Sequence, residues 1–285
     1  MIIQENESLE KYTTFRMGGT ARQMYFPEST EELQRLVKEQ PNLLNHIISG
    51  GSNLLINDEK EFDKVLCLRS FNTAFEDRGE GVFYIGASIR LQAAIRSVNE
   101  AGYGGIEYLF SVPGLIGGAV YMNAGRGKKH NMCISDYILQ VEVLTEEGKI
   151  IKMKKEDCDF KYRSSIFHNR RKDIILGVEF QFPPVAKEEA ERRIQERIDL
   201  CKQHQDNSAP NYGTVFCQSN RQIMALMKLM GKCSKKGCTY SGKTTNWMLN
   251  RKGGTFAQAV ALLKRVEKLH ALFGKKCRRE VIVWD

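Results

Sequence analysis

The chain has 285 residues, 42% apolar and 27% charged, the make-up of an ordinary folded protein with room for two or three domains. Its formal charge is +9, but the basic residues read as dispersed and no aromatic-studded basic stretch occurs, so nucleic acid is not an expected partner. No apolar run reaches membrane-spanning length and Met1–Glu7 lacks the basic start of a secretory signal, so a cytoplasmic protein with no membrane partner is expected.

Taken in order, Ser29-Thr30-Glu31-Glu32 is a capping box opening a helix from Glu31 to Gln40, which Pro41 ends. His46-Ile47-Ile48 is a buried strand that delivers a glycine loop, and Lys64–Leu68 and Val82–Ile85 are further strands. Ser88 is expected to cap a helix through Leu91, Ala94, Ile95 and Val98, stopped by Ala101-Gly102. Ile138–Leu144 and Lys149–Met153 flank Glu146-Glu147-Gly148 as a hairpin. Ile174–Phe182 is a strand whose second half alternates with period two, and Pro183-Pro184 separates it from a charged helix spanning Lys187 to Gln205. An apolar helix follows around Met224–Met230. The last helix, Thr255–Leu272, should turn Ala257, Val260, Ala261, Leu263, Val266 and Leu269 inward and end at Gly274. Strands and helices without regular βαβ alternation indicate an α+β class.

Three segments carry the chemistry. Ser111–Gly125 holds four glycines, a proline and an asparagine among apolar residues; Ser49–Leu55 and Thr14–Gly19 are similar but shorter. Backbone without Cβ atoms can lie close to a polar ligand, and N–H groups at turns suit a pyrophosphate. A plain dinucleotide fingerprint is missing, since Gly102-Tyr103-Gly104-Gly105 has the wrong spacing. The eight cysteines are expected to be reduced and metal-free; the nearest to a pair are Cys233 and Cys238.

In order, Thr14–Gly19, Ser49–Leu55, Val112–Ala119, Met122–Gly125 and Tyr162–Phe167 make the chain resemble the UDP-N-acetylenolpyruvoylglucosamine reductase family, also called UDP-N-acetylmuramate dehydrogenases. The resemblance implies a two-subdomain FAD-binding unit of the vanillyl-alcohol-oxidase type (residues 1–70 and 71–186). A substrate domain would follow at residues 187–285, its extreme C-terminus returning to the first subdomain. It implies FAD and NADPH as cofactors, a nucleotide-sugar substrate, no metal, and reduction of an enolpyruvyl double bond for peptidoglycan precursor synthesis. The family subgroup is the one lacking a tyrosine-bearing insertion, because Phe182 and Lys187 are too closely connected to hold it.

Carried over residue by residue, FAD would lie along Gly50, Gly51, Ser52, Asn53 and Leu54, along Pro113, Gly114, Ile116, Gly117 and Gly118, and along Asn123, Gly125 and Arg163. Covalent attachment is not expected, since neither loop holds a histidine or cysteine and His130 and Cys133 lie just beyond. Arg163 would face the substrate enolpyruvate, Thr214 would supply the proton, and Glu280 would assist. Tyr162, Lys202, Gln218 and Thr244 would contact substrate. The substrate half departs from the family pattern: Thr214 replaces a serine, Thr244 a histidine, Cys217 a lysine and Lys236 a glycine. A relative that keeps FAD but turns over another substrate, or a non-catalytic flavin binder, would show the same first half.

Overall fold

A computed structural model describes residues 1–126, 132–232 and 236–285; His130 and Cys233 lie outside the described residues. Strands β1 (Ile2–Ser8) and β2 (Thr20–Phe26) precede helix α1 (Thr30–Glu39), whose N-cap Ser29 accepts the Glu32 N–H. Next come β3 (Ile47–Ile48), β4 (Leu54–Ile56), β5 (Glu61–Cys67), β6 (Phe75–Asp77) and β7 (Val82–Gly86). Helices α2 (Leu91–Glu100) and α3 (Ile116–Tyr121) lead to the hairpin β8 (Ile138–Leu144) and β9 (Ile150–Lys154), and then to β10 (Ile174–Gln181). The remainder begins with α4 (Lys187–His204), β11 (Asn211–Thr214), β12 (Phe216–Gln218) and α5 (Arg221–Lys232). It closes with β13 (Cys238–Tyr240), β14 (Trp247–Asn250), α6 (Phe256–Leu272), β15 (Arg278–Arg279) and β16 (Ile282–Trp284).

Two units result, neither continuous in sequence. Unit 1 takes Met1–Glu5, Gln23–Gly50 and Lys64–Asp199. Its five-stranded antiparallel sheet runs β6-β7-β10-β8-β9. Ile175, Val178 and Phe180 of β10 join the core formed with α2 and α3, whereas Ile174 and Leu176 join Leu33, Leu36 and Val37 of α1. The first half of β10 is therefore buried on both faces, and only its second half, with half-buried Glu179 and exposed Gln181, can alternate.

Unit 2 takes Asn6–Arg22, Gly51–Asp63 and Leu200–Asp285. It holds the sheet β11-β14-β13, the pair β12-β15, and β16 running parallel to β4. Helices α5 and α6 both pack on β13. Phe15, Leu55, Tyr212, Phe216, Met248 and Leu263 share its core.

Two expectations need correction. Ser88 does not cap α2, which starts after Arg90 without a side-chain cap. Its buried hydroxyl instead donates to the Leu68 carbonyl at 2.6 Å and accepts the Asn72 N–H at 3.1 Å, satisfying backbone groups that burial would otherwise leave unpaired. The buried face of α6 is also rotated: Phe256, Ala259, Leu263, Val266 and His270 are inside, while Ala257 and Ala261 are exposed. Small alanines yield the interior to Phe256 and to His270, whose Nε2 accepts the Asn220 N–H at 2.7 Å and whose Nδ1 lies 2.8 Å from the Val266 carbonyl. Those partners select the neutral tautomer with the proton on Nδ1.

Gly51 and Gly102 both have positive φ, +61° and +86°. A Cβ on Gly51 would sit 1.8 Å from the Tyr12 carbonyl oxygen, whereas one on Gly102 would meet open space. Urea melts should therefore show Gly51→Ala losing about 3 kcal/mol or more and Gly102→Ala only about 1 kcal/mol. Equal losses would mean that the Tyr12 contact is not what demands glycine.

Candidate functional site

In unit 1 the separate glycine segments meet. A Cβ on Gly50 would lie 3.1 Å from the Gly114 Cα and 3.2 Å from the Leu115 nitrogen, so the loop after β3 touches the loop before α3 backbone to backbone. Gly117 lies as closely on Ala87, and its N–H donates to the Ala87 carbonyl at 2.9 Å. Ile116 donates likewise to Ile89 at 3.0 Å. These glycines serve the approach of the protein to itself. Gly118 differs: a Cβ there would meet only Ser49 Oγ at 3.6 Å. Pro113 is exposed and Gly114, Gly117 and Gly118 are half-buried, so this segment keeps some backbone at the surface of unit 1, with the most open space at Gly118.

Beyond that strip, Arg163 sits in a tight turn closed by reciprocal Lys161–Ser164 backbone hydrogen bonds. Its guanidinium donates to the Asn123 carbonyl at 3.3 Å and the Gly125 carbonyl at 2.6 Å, and lies 5.3 Å from the centre of the Tyr162 ring. Asn123 is buried, with Nδ2 on the Lys161 carbonyl at 3.0 Å and Oδ1 accepting the Ser135 N–H. Both Asn123 (φ 43°) and Arg163 (φ 53°) are left-handed. Asparagine adopts that conformation readily, but for arginine it costs about 1–2 kcal/mol. Arg163 is thus a half-buried cation in a costly backbone conformation, tied to the glycine segment through the Asn123 and Gly125 carbonyls.

Unit 2 gathers the other candidates into two groups. Asn53 donates its amide to the Glu280 carbonyl at 2.9 Å and accepts the Ile282 N–H on its own carbonyl, so the loop through Gly51, Ser52 and Asn53 is bound to the chain around Glu280. Thr14 anchors the same loop through its N–H to the Gly51 carbonyl. The Glu280 N–H donates to the Val215 carbonyl at 2.8 Å, which sets exposed Thr214 and half-buried Glu280 on adjoining backbone. Gln218, four residues beyond Thr214 at the end of β12, is exposed and paired with Arg278. Cys217 is half-buried between them, its thiol 3.5 Å from the Arg278 carbonyl and pushed up in pKa by burial.

Asn246, for which sequence reasoning had no role, clamps this strand. Its amide accepts the Phe216 N–H at 3.1 Å and donates to the Phe216 carbonyl at 2.8 Å, and its carbonyl accepts the Val215 N–H. Asn250 likewise donates to the Phe15 and Arg16 carbonyls, so the Thr14–Gly19 segment serves to join elements of unit 2. Asparagines flanking a short strand, one of them left-handed at φ 64°, were the available signal.

Lys202 and Thr244 form the second group. Thr244 Oγ1 donates to the His204 carbonyl at 2.7 Å, and Lys243 Nζ to the Lys202 carbonyl at 2.9 Å. Asp206 beneath them is buried and accepts from Ser208 Oγ and Ser241 Oγ, each at 2.6 Å. Burial alone would raise the Asp206 pKa, but the hydrogen bonds from Ser208 and Ser241 and the Arg251 charge outweigh it and hold it below the usual carboxylate value. Since the folded pKa is the lower one, this stabilisation is full above about pH 4 and is lost as pH falls through the folded value. Asp206→Asn should flatten the acid limb of a melting-temperature-against-pH curve; an unchanged limb would assign that limb to other carboxylates.

A family model described as an FAD binding domain matches residues 21–154. UDP-N-acetylenolpyruvoylglucosamine reductase of Carboxydothermus hydrogenoformans is 30% identical over 274 residues, covering 94% of this chain and 88% of that protein. The protein of the same name from Fusobacterium nucleatum is 29% identical over 290 residues, 99% of each. Among solved structures, the UDP-N-acetylenolpyruvylglucosamine reductase (MurB) of Thermus caldophilus aligns over 100% of both chains with a TM-score of 0.76 at 24% identity, which is a likeness of fold.

Proposed function

This chain belongs to the UDP-N-acetylenolpyruvoylglucosamine reductase family, and from that premise we infer how its own residues carry out the reaction. Its α+β fold contains an FAD-binding unit of the vanillyl-alcohol-oxidase type. It is an FAD- and NADPH-dependent oxidoreductase that reduces UDP-N-acetylglucosamine enolpyruvate to UDP-N-acetylmuramate, a step in peptidoglycan precursor synthesis. FAD held by this unit would supply the hydride transfer that links NADPH to the enolpyruvyl double bond.

The remaining steps fall to the protein. The segment from Pro113 to Gly118, with open space at Gly118, would run along the flavin, and the Gly51–Asn53 loop, held by Thr14 and the Glu280 carbonyl, would take its pyrophosphate. Arg163 would hold the substrate carboxylate and offset the negative charge that develops as hydride arrives. Thr214 O–H would protonate the carbon next to the carboxylate, and its proton would be replaced from solvent through a relay that Glu280 assists. Tyr162, Lys202, Gln218 and Thr244 would position the nucleotide sugar. Residues 1–70 and 71–186 are assigned to FAD and 187–285 to substrate, and the enzyme to the cytoplasm.

The observation that supports this reading is the bond from the Glu280 N–H to the Val215 carbonyl, which brings the Glu280 backbone against the residue that follows Thr214 within one unit. Anaerobically, NADPH should bleach the yellow protein and the enolpyruvyl nucleotide should restore its colour. Bleaching without recovery would instead mean a flavoprotein with a different acceptor.

A further inference from the structure

Read along the whole chain the cations look scattered, yet between Asn207 and Arg279 stand fifteen lysines and arginines and a single acid, Glu267. That stretch is more positive than the +9 of the full sequence, and Glu267 is itself bound to Arg279. Within unit 2 it contributes α5 and α6, which lie together on β13. The bond from the Asn220 N–H to His270 fixes the start of α5 against the last turn of α6.

Ile223, Met224 and Met227 of α5 and Ala259, Leu263 and Val266 of α6 face the core. Their outer sides do not look alike. Helix α5 exposes Leu226, Leu229 and Met230, spaced as one stripe, with Leu229 at 60%. Helix α6 exposes Lys264, Arg265 and Lys268, then runs into Leu272 (76% exposed), Phe273 (61%), Lys275 and Lys276. Isolated exposed leucines need no explanation, but an apolar stripe set beside a basic stripe does.

Charge complementarity narrows the occupant. A partner for this face must present dense negative charge with an apolar layer just beneath it, which is the structure of an acidic phospholipid bilayer. Single-stranded nucleic acid supplies the phosphates but rewards stacking aromatics, and this face exposes one, Phe273. A second copy would set like charge against like. We propose that the outer face of α5 and α6 docks on an anionic membrane surface. Lys264, Arg265, Lys268, Lys275 and Lys276 meet the headgroups, and Leu226, Leu229, Leu272 and Phe273 enter the interfacial zone. This sets aside the expectation, from sequence alone, that the protein has no membrane partner.

The test is sedimentation of the FAD-loaded full chain with vesicles of phosphatidylcholine, or of phosphatidylcholine containing about one third phosphatidylglycerol. The protein should pellet only with the acidic vesicles, and less so as salt is raised. K264Q/R265Q/K268Q should weaken binding about a hundredfold, at about fivefold per charge. L226Q/L229Q/L272Q/F273Q, which leaves the charge unchanged, should weaken it about tenfold or more. Both variants should keep the wild-type melt and the rate on soluble substrate. Failure to pellet, equal pelleting with neutral vesicles, or full binding by the apolar variant would overturn the proposal. So would a short single-stranded RNA that binds more tightly than the vesicles, or a dimer that the apolar variant dissociates.

Discussion

Arg163→Ala should lower kcat by about 10²- to 10³-fold, or about 3–4 kcal/mol of transition-state stabilisation, while reduction of bound FAD by NADPH proceeds near its original rate. The expectation rests on a guanidinium fixed by the Asn123 and Gly125 carbonyls, in a backbone conformation that arginine adopts only at a cost. A cation held in that way need not reorganise when the substrate becomes negative. Arg163→Lys separates charge from shape: it keeps the former and loses the paired N–H groups, so partial recovery is expected. The same two carbonyl bonds allow a purely structural role, in which the arginine only secures the glycine segment. In that case the alanine variant would lose FAD, measured by flavin release on dilution, and both half-reactions would fall together.

Thr214→Val should leave bleaching by NADPH intact and slow recovery of the flavin colour by about 10²- to 10⁴-fold, the range for loss of a general acid. Valine keeps the shape of threonine and replaces its hydroxyl with a methyl group. Thr214→Ser should move recovery the other way, because the β-methyl group restricts χ1 and serine is free to aim its hydroxyl. Stopped-flow reoxidation by the enolpyruvyl nucleotide reads both changes. Recovery by the valine variant at the wild-type rate would exclude Thr214 as the donor and leave its neighbour Glu280 as the acid to examine. Asn246→Ala provides a control for position, since it releases the Phe216 backbone without touching the hydroxyl.

What could be read from sequence was local. Ser29 caps α1 and Gly102, at φ +86°, follows the end of α2, because caps and stops depend on residues within a turn of each other. Ser88 has the right chemistry for a cap, but its partners are the Leu68 carbonyl and Asn72 N–H, which no spacing rule connects to it. Strands β4, β12, β13, β15 and β16 have two or three residues each, too few to show a period. The site divides in the same way. The glycine segments announce themselves by composition, whereas the neighbourhood of Thr214 and Glu280 depends on the pairing of β12 with β15 and on backbone bonds from Glu280 and Val281 to Val215, far apart in sequence. Asn246 and Asn250 carry no charge and titrate nowhere, so a search for reactive groups passes over them although they hold the Thr214 strand and the Thr14–Gly19 segment.

The discontinuous make-up of unit 2 has a consequence for how the enzyme is made. Asn53 bonds to Glu280, 227 residues later, and β16 runs beside β4. While the ribosome is still synthesising the middle of the chain, Leu54–Ile56 has no strand to pair with and the Gly51–Asn53 loop lacks its anchor. Contacts of such long range make folding slow and leave an apolar strand edge uncovered during synthesis. The nascent protein should therefore acquire its flavin only after Ile282–Trp284 has left the exit tunnel. Until then Leu54, Leu55 and Ile56, all of them buried in the finished fold, lack the strand they pair with.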